Sequence, residues 1–233
     1  MSAMWLTRLR VQLKSRLARD SILYRWGHHS YQFLVRMQDR LRKKSPPREI
    51  TENSIFTQEE EMSMCSIFPK EILDLTIELF HPRSILDVGC GTGISLDYFK
   101  SKGVSVRGLE GSELAISKAR HPGLMMKHDL NQPIDLGQTF DLVWCFEVAE
   151  HIHPRYVSAL LETLTNHGNR ILLSAARPGQ GGLGHLNEQP PEYWIDLMHQ
   201  RGFALDESTA RYRYLPDHFA ENILIFETPN GSP

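Results

Sequence analysis

The stretch "SILDVGCGTGISLDYF", Ser84 to Phe99, decides how this chain reads. An apolar run of strand length leads through Asp87, and three glycines follow at alternate positions, Gly89, Gly91 and Gly93. A helical run is expected from Gly93 to Lys102. A strand, a bare loop and a helix in that order bring backbone N–H groups and a helix N-terminus to the end of a sheet. The spacing is G-x-G-x-G, whereas a dinucleotide site requires G-x-G-x-x-G, and no lysine follows as a phosphate loop demands. Asp87, at the edge of the loop, repels a pyrophosphate and suits a ligand with an ammonium group. The stretch therefore argues against a nicotinamide dinucleotide.

Outward from this turn the chain alternates. From about Glu71 the strand candidates are "SILDV", "VSVRGLE", "LMMKHD", "FDLVWCF", "RILLSA", "FALDE" and "NILIFET". Helical runs fall between them: "SELAISKAR" with Ser112 as N-cap, Pro154 to Leu164, and "PPEYWIDLMHQRG" with prolines in its first turn. Strands alternating with helices predict an α/β domain, a mostly parallel sheet covered on both faces.

The first 50 residues are different. They hold 12 Lys and Arg against Asp20, Asp39 and Glu49, which leaves 14 basic and 25 acidic residues for the remainder. Leu6, Leu9, Leu13 and Leu17 recur at helical spacing among arginines, and "SPPRE" reads as a linker. The division expected is a basic helical segment over 1–55 and a main domain over 56–233. Three readings stand for the basic segment: a helical cap on the domain, an interfacial helix on an anionic membrane through residues 1–44, or a mitochondrial transit peptide.

The chain is 41% hydrophobic and 23% charged, the balance of a soluble globular protein. Cys65, Cys90 and Cys145 form no CxxC pair, which points away from disulfides and zinc and toward a reducing, cytoplasmic setting.

The "LDVGCGTG" string, with its companions downstream, resembles the class I S-adenosylmethionine-dependent methyltransferases over roughly Ile72 to Thr228. The resemblance implies a three-layer sandwich around a mostly parallel seven-stranded sheet whose last strand is antiparallel, with the basic helices as an N-terminal addition. It implies S-adenosylmethionine as cofactor. Asp87, Gly89, Cys90, Gly91 and Gly93 match the loop against the methionine part. Glu110, ending the second strand, matches the residue that binds the ribose hydroxyls. Asp129 and Leu130 match the adenine contacts, and Phe146, Glu147 and His151 in "FEVAEHI" line the methionine end. Carboxylates suit a ribose diol and amines because, ionised, they only accept hydrogen bonds.

In open α/β sheets the second substrate is expected beyond the carboxyl ends of the strands. Two segments reach that edge, "EVAEHIHP" and "AARPGQGGLGHLNEQPPEYW". The latter carries four glycines, Gly179, Gly181, Gly182 and Gly184, and then His185, Asn187, Glu188, Tyr193 and Trp194. Hydrogen-bonding groups beside flat rings suit a sugar-like or secondary-metabolite hydroxyl. His185 is the favoured general base and His151 the second candidate, with Glu188 orienting the imidazole. Asn187, Tyr193 and Trp194 are expected to hold the acceptor.

His151 and His153 form an HxH, but with no third ligand in view no metal is expected. Two further readings stay open: transfer to a lipid-soluble acceptor of the polyprenyl phenol type, and a non-catalytic scaffold that only binds the cofactor. Nucleic acid is not an expected partner, because the main domain is acidic and no Asn-Pro-Pro-Tyr-type string follows the fourth strand.

Overall fold

The computed structural model describes residues 67–229. The basic segment, its linker and Cys65 lie outside the described residues, and with them the membrane and transit-peptide readings.

The described chain opens on helix α1 (Lys70–Phe80), which buries Ile72, Leu73 and Thr76 and stops where His81 turns left-handed at φ 43°. Strand β1 (Ser84–Val88), helix α2 (Ile94–Ser101), strand β2 (Ser105–Glu110) and helix α3 (Glu113–Lys118) follow. Ser112 caps α3, its side chain accepting from the Ala115 amide. Next come β3 (Met125–Lys127), β4 (Leu142–Phe146), α4 (Val157–Asn166) and β5 (Arg170–Ser174). The chain ends through α5 (Pro191–His199), β6 (Ala204–Leu205), α6 (Thr209–Tyr212) and β7 (Ile223–Glu227).

The strands form one seven-stranded sheet in the order β3-β2-β1-β4-β5-β7-β6. β1 pairs in parallel with both β2 and β4, so the strand order reverses between β1 and β4. Such a switch point opens a crevice beyond the carboxyl ends of the strands. β7 runs antiparallel to β5 and β6, as the resemblance implied.

Alternation along the strands divides the core into two layers. Leu86, Val88, Val143, Cys145, Ile171 and Leu173 face one side, under α4 and α5. Ile85, Leu142, Trp144, Leu172 and Ile225 face the other, under α1, α2 and α6. Trp144 packs edge-on against Phe99 at 5.3 Å and stacks on Phe146 at 5.4 Å.

Some elements are smaller than their sequence patterns suggest. "LMMKHD" yields only three strand residues, because a Pro122–Leu124 3-10 turn leads straight into this edge strand. "FALDE" yields two, both exposed: at Asp206 the side chain accepts from the Ser208 amide and the chain leaves the sheet. The helix expected from Pro154 begins as a 3-10 turn over Pro154–Tyr156 and is α-helical only from Val157.

One glycine outside the loop is required by packing. A Cβ on Gly108, in β2, would stand 2.6 Å from Cys90 Sγ and 2.7 Å from Leu96 Cδ1, whereas one on Gly123 meets nothing within 4 Å. Gly108→Ala is expected to lower unfolding free energy by about 1–3 kcal/mol, and Gly123→Ala to change it by less than about 0.5 kcal/mol. Chemical denaturation of the two variants, with unchanged slopes, checks the difference.

Candidate active site

The glycine loop leaves β1 at the switch point. The amides of Gly89 and Cys90 both donate to Leu109 O, at 2.8 and 3.1 Å, which stitches the turn to the end of β2. Gly89, Gly91 and Gly93 have φ of 80°, 55° and 80°, a region that side chains rarely enter. At Gly89 the reason is contact as well as conformation, since a Cβ there would lie 2.5 Å from Val148 Cγ2 in the segment after β4. At Gly91 a Cβ would meet nothing within 4 Å, so this glycine lays bare backbone against open space.

Glu110 holds that backbone in place. Its Oε2 accepts from the Gly91 amide and its Oε1 from the Ser112 amide, both at 2.7 Å. Burial raises its pKa, and the two amides work against the rise. Each carboxylate oxygen keeps a further lone pair for a ligand hydroxyl. Asp87 is 3% exposed, and burial followed by the nearby Glu110 charge pushes its pKa well up. Asp129 makes a turn after β3, its Oδ1 accepting from the Asn131 amide at 3.0 Å. Leu130 packs, partly buried, against the core.

This donor set fits S-adenosylmethionine: bare glycine backbone for the methionine part, an anchored carboxylate for the ribose diol, and a polar-then-apolar pair for the adenine.

The second half of the site follows β4. Phe146 rests edge-on against Phe219 at 5.6 Å. Glu147 then takes φ 53°, left-handed for a residue with a side chain, the kind of local strain that surrounding structure must enforce. Its carboxylate is buried and accepts from the Ser174 hydroxyl and from Asn222 Nδ2. Burial raises its pKa to about 7 against the pull of those donors.

Glu150 and His151 lie in the 3-10 turn Ala149–His151. Glu150 is 1% exposed, with the Glu147 carboxyl and the Ala176 amide beside it, and neither of its carboxylate oxygens makes a hydrogen bond of good geometry. Burial, then the Glu147 charge, drives its pKa well up. Of the two acids, Glu147 has the donors and ionises first.

The Gly-rich segment folds onto this turn. The amides of Leu186 and Asn187 both donate to Glu150 O, at 2.8 and 2.9 Å. His151 Nδ1 bonds Gly184 O at 3.1 Å, and His185 Nδ1 bonds Glu188 Oε1 at 2.7 Å. Glu188 also accepts from the Gly179 and Gly181 amides. Burial opposes its ionisation, but the His185 bond and these amides together hold its pKa below the usual range. The two imidazoles meet edge to face at 4.9 Å. Burial first, and His185 second, lower the pKa of His151 to about 4, so that ring is neutral at pH 7.

The structure thus brings together His151, His185 and Glu188 at one corner, and Asp87, the glycines and Glu110 at another. Asn187 is buried; its Oδ1 accepts from Gln189 and its Nδ2 has no partner. Tyr193 lies at intermediate depth. Trp194 does not line a substrate surface: it is 2% exposed in the core, because Trp194 and Met198, one helical turn apart, are the buried face of α5.

His153 is separate from His151, its side chain accepting from the Arg155 amide, so the HxH pair does not converge. Three residues were not foreseen. Glu150 was signalled by an acid directly before His151, whereas Ser174 and Asn222 lie on a strand end and a late turn that no motif marks.

A family model described as "Methyltransferase domain" matches residues 59–173. The chain is 32% identical over 122 residues to the mitochondrial ubiquinone biosynthesis O-methyltransferase of Schizosaccharomyces pombe, which covers 45% of this chain and 44% of that protein. It is 31% identical over 142 residues to the ubiquinone biosynthesis O-methyltransferase of Aeromonas salmonicida, covering 54% and 52%. The chain therefore spans about half the length of the curated relatives it matches.

Among solved structures, the magnesium protoporphyrin IX methyltransferase of Synechocystis with bound SAH superposes with a TM-score of 0.54 at 18% identity, over 82% of this chain and 93% of that one. A SAM-dependent methyltransferase from Archaeoglobus fulgidus gives 0.52 at 18% identity, over 68% and 92%. With its glycine loop, its strand order and a methyltransferase-domain match over residues 59–173, the chain has the fold of the class I S-adenosylmethionine-dependent methyltransferases.

Proposed function

We propose that this chain is an O-methyltransferase that carries the methyl group of S-adenosylmethionine to a hydroxyl of a lipid-soluble phenol. The observation that carries the reading is the corner of Glu150, His151 and His185. It stands after β4, next to β1, where Val148 packs on Gly89 of the cofactor loop. An acceptor hydroxyl there has groups to take its proton and a methyl donor's binding loop alongside.

The cofactor supplies an electrophilic methyl group on a sulfonium. The chain supplies position: the glycine loop and Glu110 hold one partner, and the loop from Gly179 to Glu188 shapes the place of the other. Alignment of two reactants contributes up to about 7–11 kcal/mol in favourable cases, and positioned proton removal about 10²–10⁴-fold. Glu188 fixes Nδ1 of His185 as the donor, which leaves the lone pair on Nε2.

The choice of acceptor rests on two supports. Relatives by sequence are named for O-methylation in ubiquinone biosynthesis, the making of a lipid-soluble quinone, which favours a phenol with an apolar tail over the sugar-like acceptor. Leu186, between His185 and Asn187, is 43% exposed and offers an apolar surface beside the polar corner. Among the described residues no helix is long and apolar enough to cross a membrane.

His185→Ala is expected to lower kcat by at least about 10²-fold while the affinity for S-adenosylmethionine, measured by calorimetry, stays within twofold. Unchanged turnover removes His185 from the reaction. With labelled cofactor, catechols and prenylated phenols are expected to be methylated in preference to glycosides. Transfer to glycosides alone contradicts the proposed acceptor.

A further inference from the structure

We infer that Glu150, His151 and His185 form a binding site for one divalent first-row metal ion. One ligating atom from each lies within 4.8 Å of those of the other two. Both imidazoles are already oriented as metal ligands are, with Nδ1 tied to an acceptor: Gly184 O for His151 and the Glu188 carboxylate for His185. Such outer partners fix the tautomer and leave Nε2 with a lone pair for the metal.

The independent mark of a missing partner is Glu150. Its carboxylate is buried to 1% exposure beside two imidazoles, with the Glu147 carboxyl and the Ala176 amide also near it, and neither oxygen makes a hydrogen bond of good geometry. Buried polar groups are almost always satisfied, so this one calls for an explanation, and a cation between it and the two Nε2 atoms provides it. Ligands at 2.0–2.1 Å from a tetrahedral centre are about 3.4 Å apart. The site therefore contracts on loading, and Glu150, whose carboxylate makes no hydrogen bond of good geometry, is the ligand with least to give up.

Two imidazoles and one carboxylate favour zinc, cobalt, iron or manganese over calcium or magnesium, which take oxygen donors. Three protein ligands leave positions open. The catalytic part of the inference rests on the O-methyl transfer proposed above. A phenol hydroxyl bound at an open position loses its proton more readily, and the phenolate oxygen attacks the methyl carbon as sulfur leaves with the bonding pair. His185 then acts as a ligand, and the proton leaves to solvent. From the HxH pair no metal was expected, for want of a third ligand; His153 takes no part here, and the partners of His151 come from the residue before it and from a loop 34 positions later.

The test uses the full chain, stripped with a chelator and titrated with Co²⁺, followed by its visible absorption, and with Zn²⁺ and Mn²⁺ by calorimetry. One equivalent is expected to bind, and Glu150→Gln and His185→Ala are each expected to weaken it at least tenfold, with S-adenosylmethionine affinity kept. Circular dichroism confirms folding, and His151→Ala replaces any variant that unfolds.

No binding at millimolar metal, or binding that all these variants retain, overturns the site. Binding without any methyl transfer leaves the site standing and removes the O-methyl reading. Full transfer by the metal-free chain leaves that reading standing and removes the ion from the reaction.

Discussion

Two backbone amides, those of Gly91 and Ser112, converge on the single carboxylate of Glu110, and the rest of the corner at the switch point depends on that convergence. The first amide belongs to the glycine loop after β1 and the second to the cap of α3 after β2. One side chain thereby ties two crossover connections together at the place where the sheet changes direction. The buried charge is tolerated because both oxygens accept from N–H groups, which is the condition for keeping a carboxylate out of water. A turn so held needs no side chains of its own. Gly91 can therefore present open backbone, and Gly108 can let Cys90 close against β2.

The opposite corner is arranged by a different constraint. Glu147 is left-handed, its amide bonded to Ser174 O and its carboxylate to Ser174 and Asn222, so the chain leaving β4 is clamped to β5 and to the turn before β7. That clamp sends the next residues into a 3-10 turn, with Glu150 inward and His151 toward the loop from Gly179. The loop in turn is held by Glu150 O and by Glu188, whose carboxylate gathers two glycine amides and His185. Glycines serve here as amide donors with room to curl, and Gly182 lies so close to the His185 ring that a side chain would displace it.

Much of this was legible before any coordinates. The loop "GCGTG" between a strand and a helix announced the architecture, because only a backbone needing left-handed turns and close approach concentrates glycine in that way. Ser112 was legible as a cap because its side chain acts locally, on an amide three residues on. Trp194 was misread, since an aromatic beside a polar loop looks the same whether it faces a ligand or the core; only the phase of α5 against the sheet separates the two. Ser174 and Asn222 were invisible for a related reason. They meet Glu147 across 27 and 75 positions of chain, and pairing over such distances is written in tertiary packing.

A crystal structure of the full chain with S-adenosylhomocysteine tests the central claim most directly. The account predicts the ribose hydroxyls within about 2.5–3.0 Å of the Glu110 carboxylate, the adenine beside Asp129 and Leu130, and the amino-acid end over Gly89 to Gly93 near Asp87. A nucleoside bound away from Glu110, with the glycine loop untouched, contradicts it.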